Sequence, residues 1–209
     1  PWGFEDLRAL AEAGVRRICL PKVDDVEALA RAADVLAMED AHHVTLWAML
    51  ETPNGVANAE AICATAGLEA ILMGTTDLSY MLRTPARADR LGLQYALSKC
   101  VNAARMHGVI ALDGVSLDFK DADAFRESCE QGRALGFDGK TLIHPSQVDI
   151  ANEVFGFSDE DVAHARRVID AWEAAEAEGK GVAVLDGKLV EAMHVDEARR
   201  ILSFATGSG

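Results

Sequence analysis

Two acidic residues stand where short apolar runs stop. Glu51 ends the run VTLWAMLE (44–51), directly before Thr-Pro-Asn-Gly, and Asp77 follows the run LEAILMG (68–74) in Gly74-Thr75-Thr76-Asp77. If these runs are consecutive parallel strands, both carboxylates arrive at the same carboxyl edge, where α/β proteins collect their chemistry. Two carboxylates without a ring of His or Cys suit a hard cation. Mg²⁺ takes one or two protein carboxylates and completes its octahedron with water and substrate oxygens. Spacing alone leaves another use open, because strand-end acids also cap helices or accept loop N–H groups. The remaining run ends read Pro21-Lys22, Asp113-Gly114 and Ile143-His144-Pro145. Lys22 suits either a substrate or a nearby acid. Asp113 before Gly114 is either a support behind the site or a turn acid.

The elements that must position these residues alternate along the chain. Apolar runs at 16–21, 44–51, 68–74, 109–114 and 139–145 are separated by helical patterns at 24–36, 55–66, 88–108 and 121–136. The segment between 74 and 88 reads as a loop. Strands alternating with helices mean βαβ units and a parallel sheet buried on both faces. Helices at 146–155 and from 158 onward follow, the second starting at a good N-cap, Ser158. The tail 182–202 reads as a hairpin around Asp186-Gly187 and then a helix. Five strands suit an open sheet or part of a (β/α)₈ barrel, which needs eight.

Composition narrows the function classes. The 209 residues suffice for a full hydrophobic core, with half of them hydrophobic. A formal net charge of −14 argues against nucleic acid, whose phosphates need clustered Lys and Arg. No apolar run approaches the roughly 18 residues of a membrane span. Cys19, Cys63, Cys100 and Cys129 are scattered, without a CxxC pair, and read as reduced thiols of a cytoplasmic protein. His42, His43, His107, His164 and His194 show no ligand spacing and read as surface or helix-end residues. Trp47, among apolar neighbours, reads as core. Arg83, Arg87 and Arg90 form a basic loop, either solvated or facing a nucleotide.

The stretches MLETPNGVANAEAI, ILMGTTDLSYML, DGVSLDFKD and GFDGKTLIHPSQVDIANEVFGFSDEDVAHARRVI resemble the citrate lyase β-subunit-like family of the HpcH/HpaI aldolase superfamily. That family includes malyl-CoA, β-methylmalyl-CoA and citramalyl-CoA lyases. The resemblance implies a (β/α)₈ TIM barrel of which this chain holds about strands four to eight. Residues 1–157 would be the C-terminal part of the barrel, and 158–209 a helix and tail extension contacting a neighbouring subunit. About three further βα units, one carrying a substrate-contacting arginine, would lie before Pro1. A homotrimer or homohexamer is implied.

By the same resemblance Glu51 and Asp77 bind Mg²⁺, for which Mn²⁺ can substitute, and through it the substrate. Thr76 meets the small 2-oxo acid, and Ile143 and His144 meet the thioester end of the acyl-CoA. Glu191 takes the place of the family's tail aspartate and becomes the candidate proton-transferring group. Its tail could equally be an oligomer contact. Lys22 and Asp113 remain contacts to CoA or supports behind the site. The implied reaction is reversible cleavage of a 3-hydroxyacyl-CoA to an acyl-CoA and glyoxylate or pyruvate. The alternatives are a malyl-CoA thioesterase, an aldolase of non-CoA keto acids, and a non-catalytic relative with a relic metal site.

Overall fold

The computed structural model describes residues 3–85 and 87–205. The chain forms two compact units, one ending at Phe155 and one starting at Gly156. Residues 206–209 of the expected tail extension lie outside the described residues.

The first unit is built on five parallel strands: β1 (Arg17–Leu20), β2 (Thr45–Leu50), β3 (Leu68–Met73), β4 (Ile110–Asp113) and β5 (Gly139–Lys140). They lie side by side in chain order, so every crossover joins nearest neighbours. Burial alternates along β2. Leu46, Ala48 and Leu50 are buried, whereas Thr45, Trp47 and Met49 are only partly covered. The buried set packs with Ile18, Ile71, Met73 and Ala111 against Leu29, Leu36, Ile62, Leu97 and Cys100 of the crossover helices. The helices therefore seal one face. The expectation of burial on both faces holds only in part: Ala70 and Leu72 of β3 are buried on the other face, whereas Cys19 and Ile110 on it are exposed.

Local chemistry explains most element ends. Helix α1 (Gly3–Glu12), unexpected from the sequence, precedes β1. Asp25 caps α2 (Val26–Met38), its carboxylate accepting the Ala28 N–H at 2.9 Å. The helix expected at 55–66 is two short ones, α3 (Pro53–Ala57) and α4 (Ala59–Cys63), interrupted at Asn58. Another correction is α5 (Thr75–Leu82), which occupies the expected loop and ends at Arg83 in the left-handed region. Its Thr-Thr-Asp-Leu-Ser opening is poor in helix formers, so propensity did not announce it. Helix α6 (Gln94–His107) stops at Gly108, and α7 (Ala122–Ala134) starts at the Asp121 cap. Strand β5 keeps only two of the expected seven residues, and α8 (Val148–Phe155) closes the unit.

A third acid organises the amino ends of the strands. The β2–β3 register shifts at Leu46/Trp47, leaving Glu69 as an extra residue in β3. Its carboxylate accepts the Trp47 indole N–H at 2.6 Å, the Thr45 hydroxyl at 3.0 Å, and two N–H bonds from Arg17 at 2.8 and 3.0 Å. Trp47 is thus half-buried with its indole N–H satisfied, rather than enclosed in the core as expected. The Arg17 guanidinium and the Trp47 N–H hold the Glu69 carboxyl down to about 2.

The second unit contains α9 (Asp159–Ala177), the antiparallel pair β6 (Ala183–Leu185) and β7 (Lys188–Val190), and α10 (Ala192–Ala205). Ser158 and Asp161 form a reciprocal capping box at the start of α9. The hairpin turns at Asp186 and Gly187, both with positive φ, as the sequence signal required. Ala165, Val168, Val190, Val195 and Ala198 make its core.

Candidate active site

At the carboxyl edge, β2 delivers Glu51 and the next residue starts a helix. Thr52 caps α3 by accepting the Gly55 N–H at 2.9 Å and donates its own hydroxyl to Asp24. The capping duty therefore falls to Thr52, which leaves Glu51 for something else. Glu51 is buried, and its Oε1 accepts the Lys22 N–H at 2.8 Å. Its Oε2 has no hydrogen-bond partner among the described residues. The end of β3 comes so close that a Cβ at Gly74 would collide with Glu51 Cβ and lie 2.6 Å from Oε2. Only glycine fits there, for space rather than for backbone conformation.

Asp77 sits in the first turn of α5, where the helix dipole favours an anion. It is half-exposed, and its Oδ2 lies 3.7 Å from Lys22 Nζ. Lys22 itself, at φ 50°, follows β1 in the left-handed region. One residue thereby touches both acids, Glu51 through its backbone N–H and Asp77 through its ammonium. Thr76 is exposed on the same helical turn. Among the described residues no group of three or more His, Cys, Asp and Glu could hold a metal. The donors offered are two carboxylates, all oxygen, with one of the four oxygens already bonded to an N–H. That set fits Mg²⁺ or Mn²⁺ with the remaining positions left to water and substrate, and does not fit Zn²⁺.

Asp113 has a different fate. It is fully buried at the end of β4, with Arg90 Nη1 at 2.7 and 2.8 Å from its two oxygens and Lys140 Nζ at 2.9 Å from Oδ2. The Gly114 N–H donates to Oδ1 at 2.8 Å, so the turn-acid reading holds in part. Lys140 is 1% exposed and Arg90 12%. Arg90 Nε also donates to Gln131 Oε1 at 2.6 Å, while Nη2 is buried without a partner among the described residues. Arg90 is thus not the solvated loop charge that the sequence allowed. Arg87 keeps an exposed local partner, Asp89, at 2.6 Å. Burial lowers the Lys140 proton affinity, the Asp113 carboxylate raises it, and neighbouring Arg90 lowers it again.

Beyond β5, Ile143 is about half-exposed, and its N–H donates to the Oε1 of buried Gln147 at 3.0 Å. Gln147 Nε2 donates in turn to the Ser116 carbonyl at 3.0 Å, tying this turn to the loop after β4. The His144 ring stacks on Phe119 with centroids 4.5 Å apart. Its Nδ1 accepts the Ser146 N–H at 3.2 Å, so the neutral ring carries its proton on Nε2. A cleft of about 520 Å³ opens beside α5, lined by residues that include Thr75, Thr76, Ser79, Thr84, Ser116 and Ser128. Arg87, Arg90, Asp118 and Glu127 supply its charges.

Lys22, Glu51 and Asp77 are therefore brought together, and Asp113 is joined to a separate cluster. Glu191 stands in the second unit between β7 and α10, exposed, its N–H donating to His194 Nδ1 at 2.9 Å. Sequence reasoning missed Lys140, Gln147 and Glu69. The available signal was a charged or amide residue inside or directly after an apolar run, as in LEAILMG and GKTLIHPSQ.

A profile of the HpcH/HpaI aldolase/citrate lyase family matches residues 1–145. A protein of Cereibacter sphaeroides named (3S)-malyl-CoA thioesterase is 48% identical over 205 residues, covering 98% of this chain and 70% of that protein. The citrate lyase subunit beta of Escherichia coli K12 is 36% identical over 215 residues, covering 100% and 71%. The crystal structure of CitE from Mycobacterium tuberculosis with magnesium, acetoacetate and coenzyme A matches with TM-score 0.73 and 28% identity, over 97% of this chain and 73% of that one. A Burkholderia xenovorans citrate lyase structure matches with TM-score 0.80 at 21% identity, over 100% and 70%, which is a likeness of fold.

Proposed function

The chain belongs to the HpcH/HpaI aldolase/citrate lyase family, and we propose that within it the chain is a Mg²⁺-dependent enzyme that hydrolyses the thioester of malyl-CoA or a similar 3-hydroxyacyl-CoA. The observation that carries this reading is the acid corner, where Glu51 and Asp77 meet the backbone and the ammonium of Lys22. Hydrolysis is favoured over carbon–carbon cleavage by the 48% identity to a protein named as a malyl-CoA thioesterase, against 36% to a citrate lyase subunit. The sequence-based expectation ranked the lyase first; that order is reversed here. Reversible carbon–carbon cleavage is the second reading, supported by the citrate lyase relative.

Glu51 and Asp77 would hold the cation, which when bound supplies Lewis-acid polarisation of a carbonyl and a template for the substrate's carboxylate. Lys22 holds an ammonium at the same corner, in reach of a substrate carboxylate as well as of Asp77. Thr76 offers a hydroxyl on the same turn, and the Ile143–His144 turn offers the His144 Nε2–H. In hydrolysis the hydroxyl of water adds to the thioester carbonyl carbon, the C–S bond breaks, and the sulfur leaves with a proton, giving malate and free CoA. Glu191 of a neighbouring copy, in a homotrimer or homohexamer, is the proposed proton-transferring carboxylate. The strands in chain order with helices on one face support a further proposal, that the first unit is part of a (β/α)₈ barrel wall.

The test is to incubate the full-length protein with Mg²⁺ and malyl-CoA and to follow products by mass spectrometry. Free CoA with malate is the expected result. Acetyl-CoA with glyoxylate would install the lyase reading instead. No turnover of malyl-, β-methylmalyl- or citramalyl-CoA would overturn both.

A further inference from the structure

The Arg90–Asp113–Lys140 cluster is an odd object for stability alone. Two cations share one carboxylate in a nearly dry environment, and Arg90 leaves one nitrogen unpaired among the described residues. Buried ion clusters of this kind add little stability over apolar side chains of similar volume. Their distinctive property is direction, since charge-assisted bonds fix angles as well as distances.

The connections of the cluster follow that logic. Arg90 belongs to the loop between α5 and α6 that walls the cleft, and it is braced from α7 by Gln131, whose amide donates to the Asp89 carbonyl at 2.8 Å. Gly132 on the same helix lets the carboxylate approach, because a Cβ there would lie 2.7 Å from Asp113 Oδ2. On the other side, Lys140 ends β5, and Thr141 donates both its N–H and its hydroxyl to the Asp113 carbonyl, at 2.9 and 3.0 Å. Ile143 and His144 follow after the single residue Leu142. Neither Glu51 nor Asp77 is part of this network.

We propose that Asp113 is a positioning residue: through Arg90 and Lys140 it sets the cleft wall at 87–93 and the Ile143–His144 turn at a fixed separation, independently of the metal-binding acids. The claim that this separation serves a CoA thioester rests on the function proposed above; the claim that the cluster fixes the two segments does not.

Two variants that leave Asp113 with a cation beside it test this in the full-length protein. Lys140→Met leaves Arg90 and Asp113 one to one, and Arg90→Lys keeps the charge but loses the planar fork. Three quantities are read: hydrogen–deuterium exchange of 87–93 and 141–147, Mn²⁺ affinity by electron paramagnetic resonance, and kcat and KM for malyl-CoA. Exchange is expected to accelerate at 87–93 in Arg90→Lys and at 141–147 in Lys140→Met. Mn²⁺ affinity should stay within about twofold while kcat/KM falls about tenfold or more, mostly through KM. Unchanged exchange in both segments overturns the proposal whatever the turnover. So does a loss of Mn²⁺ affinity parallel to the loss of kcat/KM, which would place the effect at the acid corner. A wild-type protein that turns over no CoA ester refutes the function proposed above, and the exchange data still decide the role of Asp113.

Discussion

Glu51 and Asp113 start from the same position in the sequence pattern, an acid at or directly after an apolar strand, and end in opposite circumstances. Glu51 accepts one backbone N–H and faces a glycine, so most of its coordinating capacity stays open, and its partner acid Asp77 is half in solvent against a distant ammonium. Asp113 is surrounded by a guanidinium, an ammonium and a backbone N–H, and has nothing left to offer a metal. The difference teaches that a buried carboxylate is available for chemistry only where its neighbours are short of donors. A corner lined by Gly74 and a single lysine backbone meets that condition. A pocket holding Arg90 and Lys140 does not.

The contrast is sharpest if activity and stability separate between the two regions. Glu51→Ala and Asp77→Ala should each lower turnover of malyl-CoA by about three orders of magnitude, because the metal's charge stabilisation is lost. Their urea midpoints should stay close to wild type, most closely for the half-exposed Asp77. Asp113→Asn should do the reverse first. It leaves two buried cations without an anion and should cost about 3–5 kcal/mol in urea unfolding. A variant at 113 that keeps the wild-type midpoint yet no longer binds Mn²⁺ would break the comparison, since Asp113 would then belong with the acid corner.

Glu69 supplies an intermediate case, a carboxylate satisfied by neutral and charged donors at the far end of the strands. Its pKa falls from the ordinary 4.5 to about 2. The folded state therefore favours the carboxylate. That stabilisation is complete above pH 4.5 and is lost as the pH falls from 4.5 towards 2. Glu69→Gln should cost about 1–2 kcal/mol at pH 7, a value that allows for partial solvent screening, and should flatten the acid limb of a stability-against-pH curve. An unchanged acid limb would mean that Glu69 is not held by Arg17 and Trp47 in solution.

The smallest effect is expected at Lys22. Its ammonium is mostly exposed and 3.7 Å from Asp77, so Lys22→Gln should shift stability by less than about 0.5 kcal/mol. Removing a cation that competes for Asp77 should tighten Mn²⁺ binding by roughly twofold to fivefold, from the modest energy of exposed charge pairs. Weakened Mn²⁺ binding would instead mean that the Lys22 side chain helps to build the corner.

Much of the molecule was legible in one dimension. The alternation of apolar runs and helical periods placed the first four strands to within a few residues, together with α2, α6 and α7, and the positive-φ hairpin turn. It also put Glu51 and Asp77 at the edge where they stand, since strand ends are set by local pattern. Helix α5 is not legible in the sequence because its opening, after the single residue Gly74, is polar and β-branched. Strand β5 is shorter than its apolar run because its only partner among the described residues, β4, ends at Asp113, so the pairing stops at Asp113↔Lys140.

The βα rhythm and the acids at the strand ends are legible in the sequence because each is a property of residues within a few positions of one another, and the family resemblance because its motifs are short contiguous stretches. Tertiary structure alone decided which acid stays open. Arg87 finds its carboxylate two residues away, whereas Arg90 in the same loop finds Asp113 across 23 residues, and Lys140 finds it across 27. A buried charge takes whatever donors the fold brings beside it, and that neighbourhood is fixed by the packing of strands and loops rather than by the residues on either side in the chain.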